Sequence, residues 1–225
     1  HDKLLDAEYV APEAKAKFGR VGIPRALVQI ELLPFWKAFL TKLGFEVVVS
    51  PQTNREITRL ATERGVAEAC FPAKVVVGHV AWLVDQGVRR IFVPHVATFP
   101  RGNDKQLDSW LCPYVQSTPY VMRATFDEKA EGIEFLAPVV RFSSGKGRLL
   151  REMLAFGRQF GANRREVVAA LEAGISAQKR FRATFEKRVE VVLRETPANV
   201  RRVVLVGRAY NTCDRGLNLD LPKKL

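Results

Sequence analysis

Cysteine is scarce in this chain, with three among 225 residues. An odd and small number cannot staple a polypeptide of this length, which excludes a disulfide scaffold. Long apolar runs are missing too. No stretch approaches the ~20 residues that a membrane-spanning helix needs. The start, "HDKLLDAEYV", has neither the apolar core nor the small-residue cleavage site of a signal peptide. These absences predict a cytoplasmic protein with reduced thiols, no membrane partner, and cysteines that are buried, reactive or metal-ligating. The chain also opens without an initiator Met, and "LNLDLPKKL" stops inside a motif, so it reads as a piece of a longer polypeptide.

Nucleotide-binding loops are likewise lacking. "SSGKGR" (143–148) has neither the upstream glycine spacing nor the Ser/Thr of a P-loop, and "VGRAYN" is not G-x-G-x-x-G. Basic charge is plentiful, at +12 overall, but +9 of it falls between Arg141 and Val203 on a segment with helical patterning. No recognisable nucleic-acid-binding motif accompanies these arginines, which argues against nucleic acid. A solvated helix face or a docking face for an acidic partner remains.

What is present is an alternation of strands and helices. "GRVGIPR" (19–25), "FEVVVS" (45–50), "RRIFVPH" (89–95) and "FLAPVVRF" (135–142) have strand composition. "LPFWKAFLTKLG" (33–44), with Pro34 in its first turn, "AKVVVGHVAWLVDQG" (73–87) and "KGRLLREMLAFGRQFG" read as helices, and "SPQTNREITRLATERG" as a turn followed by a helix. Residues 101–136 look irregular. Asn163 with Glu166 forms a capping box, opening a helix to about Arg194. On one side of it lie Val168, Leu171, Ile175, Phe181, Phe185, Val189 and Val192. "RRVVLVGRAYN" (201–211) is expected to be a new strand.

The predicted fold is therefore α/β: a parallel Rossmann-like sheet flanked by helices, with a long connector helix and the start of a second, truncated α/β lobe. The expected divisions are an extension (1–17), an α/β lobe (18–160), the connector (161–198) and the second lobe's start (199–225). In such sheets ligands gather beyond the carboxyl ends of the strands. The loops expected there, "IPRAL", "SPQTN" and "VPHVATFPRGND", each carry proline where the chain leaves a strand.

Two cysteines sit beside prolines, in "EACFPAK" and "LCPYVQ". A helix start offers free N–H groups that favour thiolate, and proline stiffens the presenting loop. Iron–sulfur ligation draws on both features. Yet the spacings of 42 and 101 residues along Cys70, Cys112 and Cys213 are far from compact CxxC patterns. Buried structural thiols and a cluster both remain open on the residues alone. A reactive-thiol enzyme is disfavoured, because neither Cys70 nor Cys112 has a histidine near it in sequence. His79, with Val76 and Leu83 on its side of a helix, reads as a core or interface histidine. His95 follows a strand at the ligand edge and is a weaker candidate for a proton carrier. Arg25 and Lys74 could meet phosphate or carboxylate there, or be solvated surface, and Glu68 could cap the helix after Cys70.

The segments "VGIPRAL", "LPFWKAFLTKLGFEVVVSPQTNREI", "EACFPAKVVVGHVAWL", "IFVPH", "LCPYVQ" and "GRAYNTCDRGLNLDLPKKL" occur in an order that resembles one family. The chain from 18 to 225 is similar to the domain of unknown function in large 2-hydroxyacyl-CoA dehydratase activase-like proteins, which is related to the dehydratase subunits. The resemblance implies a 4Fe–4S cluster bound through Cys70, Cys112 and, within the frame "GRxYNxxDxGxNxxLPxKL", Cys213. Ala209 departs from that frame, which expects proline. It further implies an ATPase partner of actin/Hsp70-like fold that holds the ATP, a homodimer as one possible assembly, and delivery of low-potential electrons to an acyl-CoA or other small substrate. The alternative is a docking or regulatory domain whose cysteines are structural. Whether the chain is itself an enzyme stays open at this point.

Overall fold

The computed structural model describes residues 16–65, 68–100 and 109–225. The expected extension at 1–17 and part of the loop "VPHVATFPRGND" lie largely outside those residues. In chain order the elements are β1 (Arg20–Ile23), α1 (Gln29–Leu43), β2 (Glu46–Val49), α2 (Arg55–Arg64), α3 (Phe71–Asp85), β3 (Arg90–Phe92) and β4 (His95–Thr98). There follow α4 (Pro113–Thr125), β5 (Glu134–Leu136), β6 (Val139–Arg141), α5 (Lys146–Arg158), α6 (Arg164–Glu195), and two short helices, α7 (Ala209–Thr212) and α8 (Leu221–Lys224).

Four strands pair in the order β2-β1-β3-β5, all parallel. This is the expected α/β architecture, a parallel sheet with helices on its faces. Val21, Ile23, Ile91 and Phe92 of the two central strands are fully or almost fully buried, as strands covered on both sides must be. Trp36, Phe39, Leu40, Leu83 and Phe156 from the helices close over them.

Each of the two longer strands expected at 89–95 and 135–142 is divided by a proline. Phe92 pairs with Leu136 and His95 with Val139, so Pro94 and Pro138 stand opposite each other in register. Neither can donate to the ladder. The bonds on either side survive, Val93 N–H to Leu136 O and His95 N–H to Pro138 O, both at 2.9 Å. Beyond the gap β4 and β6 continue as a two-stranded parallel pair.

Three further differences have physical causes. The first helix begins at Gln29, four residues before the expected start, so Pro34 lies in its interior. There proline opens the backbone ladder, and Gln178 of α6 fills the opening. Its amide accepts from Phe35 N–H at 3.2 Å and donates to Glu31 O at 2.9 Å, the two groups an undisturbed helix bonds to each other. Second, "CPYVQSTPYVM", expected to be irregular, forms α4, with Pro113 in the first turn where proline costs nothing and Pro119 inside. Third, the strand expected at 201–211 does not form. Residues 201–206 are exposed without regular structure, since a strand needs a neighbour to pair with and among the described residues none lies beside it. The chain then turns back, and Leu217 packs on Ile57 and Val75 of the first lobe.

The capping box at Asn163 and Glu166 is present, and α6 runs to Glu195. Its buried face is Val167, Ala170, Leu171, Gly174, Ala177 and Phe181. Phe185, Val189 and Val192, expected on the same side, are exposed, because α6 extends past the body of the domain. Among the described residues no helix is long and apolar enough to cross a membrane.

Candidate functional site

In a parallel sheet each helix returns the chain from the carboxyl end of one strand to the amino end of the next. The N-termini of α3, which leads into β3, and of α4, which leads toward β5, therefore lie at the carboxyl edge. Cys70 is the N-cap residue of α3, with φ −58° and ψ 146°. Cys112 is the N-cap of α4, with φ −52° and ψ 138°. In each case a proline lies within the first two helical positions, and in neither does the side chain cap its own helix. The carbonyl of Cys70 accepts from Ala73 and Lys74, and that of Cys112 from Val115 and Gln116. The two cysteines are the same local structure built twice, each sulfur at the positive end of a helix.

Between α3 and α4 lies a small, mostly apolar cleft of about 70 Å³, bordered by Ala73, Lys74 and Val77 of the one and by Tyr114, Thr118 and Met122 of the other; neither cysteine borders it. Phe71, Trp110, Tyr114 and Tyr120, four large aromatics near the cysteines, are exposed. Tyr210, on α7, shares this neighbourhood. Burial raises its phenol above the ordinary value, Arg208 pulls it back, and the charges that Cys112 and Cys70 carry when ionised raise it further.

Cys213 lies three residues beyond Tyr210, half-buried, its Sγ 3.6 Å from Thr212 Oγ1. All three cysteines are free thiols, and Cys70 is exposed, which removes the reading of Cys70 as a buried structural residue. Among the described residues no three His, Cys, Asp or Glu side chains gather closely enough to hold a metal ion. Cys70 and Cys112 stand at matched helix ends. The complete three-cysteine set is not drawn together.

His79 is fully buried on α3 and hydrogen-bonded at both ring nitrogens, to Ser50 Oγ at 2.8 Å and Thr53 Oγ1 at 3.1 Å. Burial, with a smaller contribution from Arg25, pushes its pKa down to about 3, so it is a neutral core histidine. Arg25 is itself buried and not solvated surface. Lys74 and Glu68 bind each other at 2.6 Å; Glu68 is an ion-pair partner for Lys74. His95 stacks edge-on against Tyr120, with ring centroids 5.9 Å apart. Its Nδ1 is buried without a hydrogen-bond partner, and burial followed by Arg141 lowers its pKa.

Four residues of this edge escape a reading of the sequence by motif: Ser50, Thr53, Tyr210 and Asp214. Signals for them were present. Ser50 and Thr53 belong to the loop "SPQTN" at the strand ends, and Tyr210 and Asp214 are fixed letters of the frame that holds Cys213.

A family model described as CoA enzyme activase uncharacterised domain matches residues 20–225. The chain belongs to that family. The match spans the whole sheet, α6 and the C-terminal segment, so the CoA enzyme activase domain includes both cysteine-capped helices and the turn that carries Tyr210 and Cys213. Searches of curated proteins and of solved structures found no match.

Proposed function

We propose that this CoA enzyme activase domain serves in an ATP-driven electron-delivery system of the 2-hydroxyacyl-CoA dehydratase type, with Cys70 and Cys112 presenting thiolates to an iron–sulfur cluster. The observation that carries this reading is the identity of the two N-caps: same torsions, same proline-bearing first turn, neither side chain capping its own helix, on helices that border one cleft. Free N–H groups and the helix dipole favour anionic sulfur and the sulfides of a cluster. A cluster bound there supplies one-electron transfer at low potential. The chain's own part is to hold two thiols at the carboxyl edge, each beside exposed aromatics: Phe71 next to Cys70, and Trp110 and Tyr114 on either side of Cys112. Cys213 is the candidate for a third ligand. ATP hydrolysis belongs to a partner domain of actin/Hsp70-like fold, and the electron goes to an acyl-CoA or another small substrate that is hard to reduce.

A docking role without chemistry draws support from one observation, the solvent-exposed apolar residues Phe185, Val189 and Val192 on distal α6. Iron and acid-labile sulfide, measured per chain after purification without oxygen, separate the two. The cluster reading expects about four irons per chain, lost in Cys70→Ala and in Cys112→Ala. Retention of iron in Cys213→Ala would assign the third ligand elsewhere. Background iron in folded, anaerobically prepared protein retaining all three cysteines overturns the reading and leaves docking.

A further inference from the structure

Four segments far apart in sequence meet in one buried chain of hydrogen bonds at the carboxyl edge. Arg25 N–H donates to Ser50 Oγ at 2.8 Å. Ser50 and His79 Nδ1 are 2.8 Å apart, His79 Nε2 and Thr53 Oγ1 are 3.1 Å apart, and Thr53 Oγ1 donates to Asp214 Oδ2 at 2.6 Å. The proton order follows from its two ends. A carboxylate only accepts, so the Thr53 hydroxyl proton goes to Asp214, and Thr53 must accept from His79 Nε2–H. That leaves His79 Nδ1 to accept the Ser50 proton, while Ser50 accepts the Arg25 N–H. One tautomer satisfies every group.

Ser50, His79, Thr53 and Asp214 are each at least nine-tenths buried, so no substrate reaches them and the chain is not an acid–base site. Its far end holds a short turn. Asp214 Oδ1 accepts from Gly216 N–H at 2.8 Å, and the Asp214 carbonyl accepts from Leu217 and Asn218. Gly216 approaches Thr53 so closely that a Cβ there would stand 2.6 Å from the Thr53 carbonyl oxygen. Leu217 then plugs between Ile57 and Val75. Immediately before this anchor come Tyr210, within electrostatic reach of Cys112 and Cys70, and Cys213.

We infer that the chain Ser50–His79–Thr53–Asp214 is a positioning device that sets the Tyr210–Cys213 turn beside the N-terminal half of α3, where Leu217 packs on Val75. His79 and Thr53 are its positioning residues. The purpose rests on the role proposed for Cys70 and Cys112, but the positioning itself is read without iron.

The test uses reduced, iron-free protein, N-ethylmaleimide as probe, and mass spectrometry to follow each cysteine separately. Thr53→Val keeps the side-chain shape and removes the hydroxyl that joins His79 to Asp214. It is expected to raise the Cys213 alkylation rate about tenfold, because losing a buried bond frees the turn to open. The Cys70 rate stays unchanged, and Thr53→Ser, which restores the hydroxyl, restores protection. A folded Thr53→Val protein with wild-type Cys213 reactivity overturns the inference, as does a Thr53→Ser protein no better protected than Thr53→Val. Should Thr53→Val fail to fold, Asp214→Asn is read by the same criteria. Faster Cys213 alkylation in a protein that never binds iron keeps this inference and removes the proposed function. Iron binding with unchanged Cys213 protection does the reverse.

Discussion

The side-chain amide of Gln178 accepts a hydrogen bond from Phe35 N–H at 3.2 Å, one residue past the proline that interrupts α1. Its other end donates to Glu31 O, so one carboxamide on α6 bridges both sides of the opening. The long helix is thereby tied to the domain by polar bonds as well as by its apolar face. Gln178→Leu keeps most of the volume and leaves a partly buried donor and acceptor unpaired. A loss of about 1–3 kcal/mol is expected, read as a lower urea midpoint with an unchanged slope. No change in the midpoint would show that water replaces the amide at no cost.

Gly78 is where α2 and α3 come closest. A Cβ at this position would run directly into the Ile57 carbonyl oxygen, and backbone cannot yield as a side-chain tip can. Gly78→Ala therefore forces the two helices apart. The expected cost is at least the ~1–3 kcal/mol of an overpacked core, seen as a fall in Tm. Because His79 is the next residue, the same variant should also loosen the bonds to Ser50 and Thr53.

His79 makes stability depend on pH in a defined direction. Its folded pKa, about 3, lies below the ordinary 6.5, so the unfolded chain binds the proton more readily. The stabilisation is complete above about pH 6.5 and declines as pH falls toward 3. At pH 5 this one group removes about 2 kcal/mol relative to neutral pH. Denaturant unfolding of wild type and His79→Gln at pH 7.5 and 5 checks it: the variant, weaker overall, should lose less between the two. Equal losses would mean that other groups carry the acid sensitivity.

Phe181 and Phe185 lie one helical turn apart on α6, yet they are 5% and 38% exposed. Phe181→Ala should cost about 3 kcal/mol or more, whereas Phe185→Ala should stay within about 0.5 kcal/mol. Thermal unfolding of the two variants side by side reads the difference. Matching losses would place the edge of the folded body further along α6 than Phe181.

The strand and helix rhythm was legible because β-branched runs and helical spacing are local signals, and the capping box at Asn163 and Glu166 is a purely local device. Prolines misled in both directions. Pro34 reads as a helix start, because the amide that accommodates it in mid-helix comes from Gln178, far along the chain. Pro119 made α4 look irregular. "RRVVLVG" has strand composition, but pairing requires a neighbour that composition cannot supply. At the candidate site, the cysteines announced themselves through their prolines. Ser50, Thr53 and Asp214 did not, since small polar residues in loops are common and only the fold joins them into one buried chain.

The duplicated N-cap has a consequence for charge. Two helices of 15 and 13 residues present their positive ends at the same edge of the sheet, and one ion pair there, Lys74 with Glu68, is already neutralised. An added negative charge is met by two dipoles at once, whereas a positive one is opposed by both. This end of the domain is an electrostatic sink: it favours whatever arrives as an anion or becomes more negative on arrival. A third helix end is not needed for that bias, and neither is a net positive side chain.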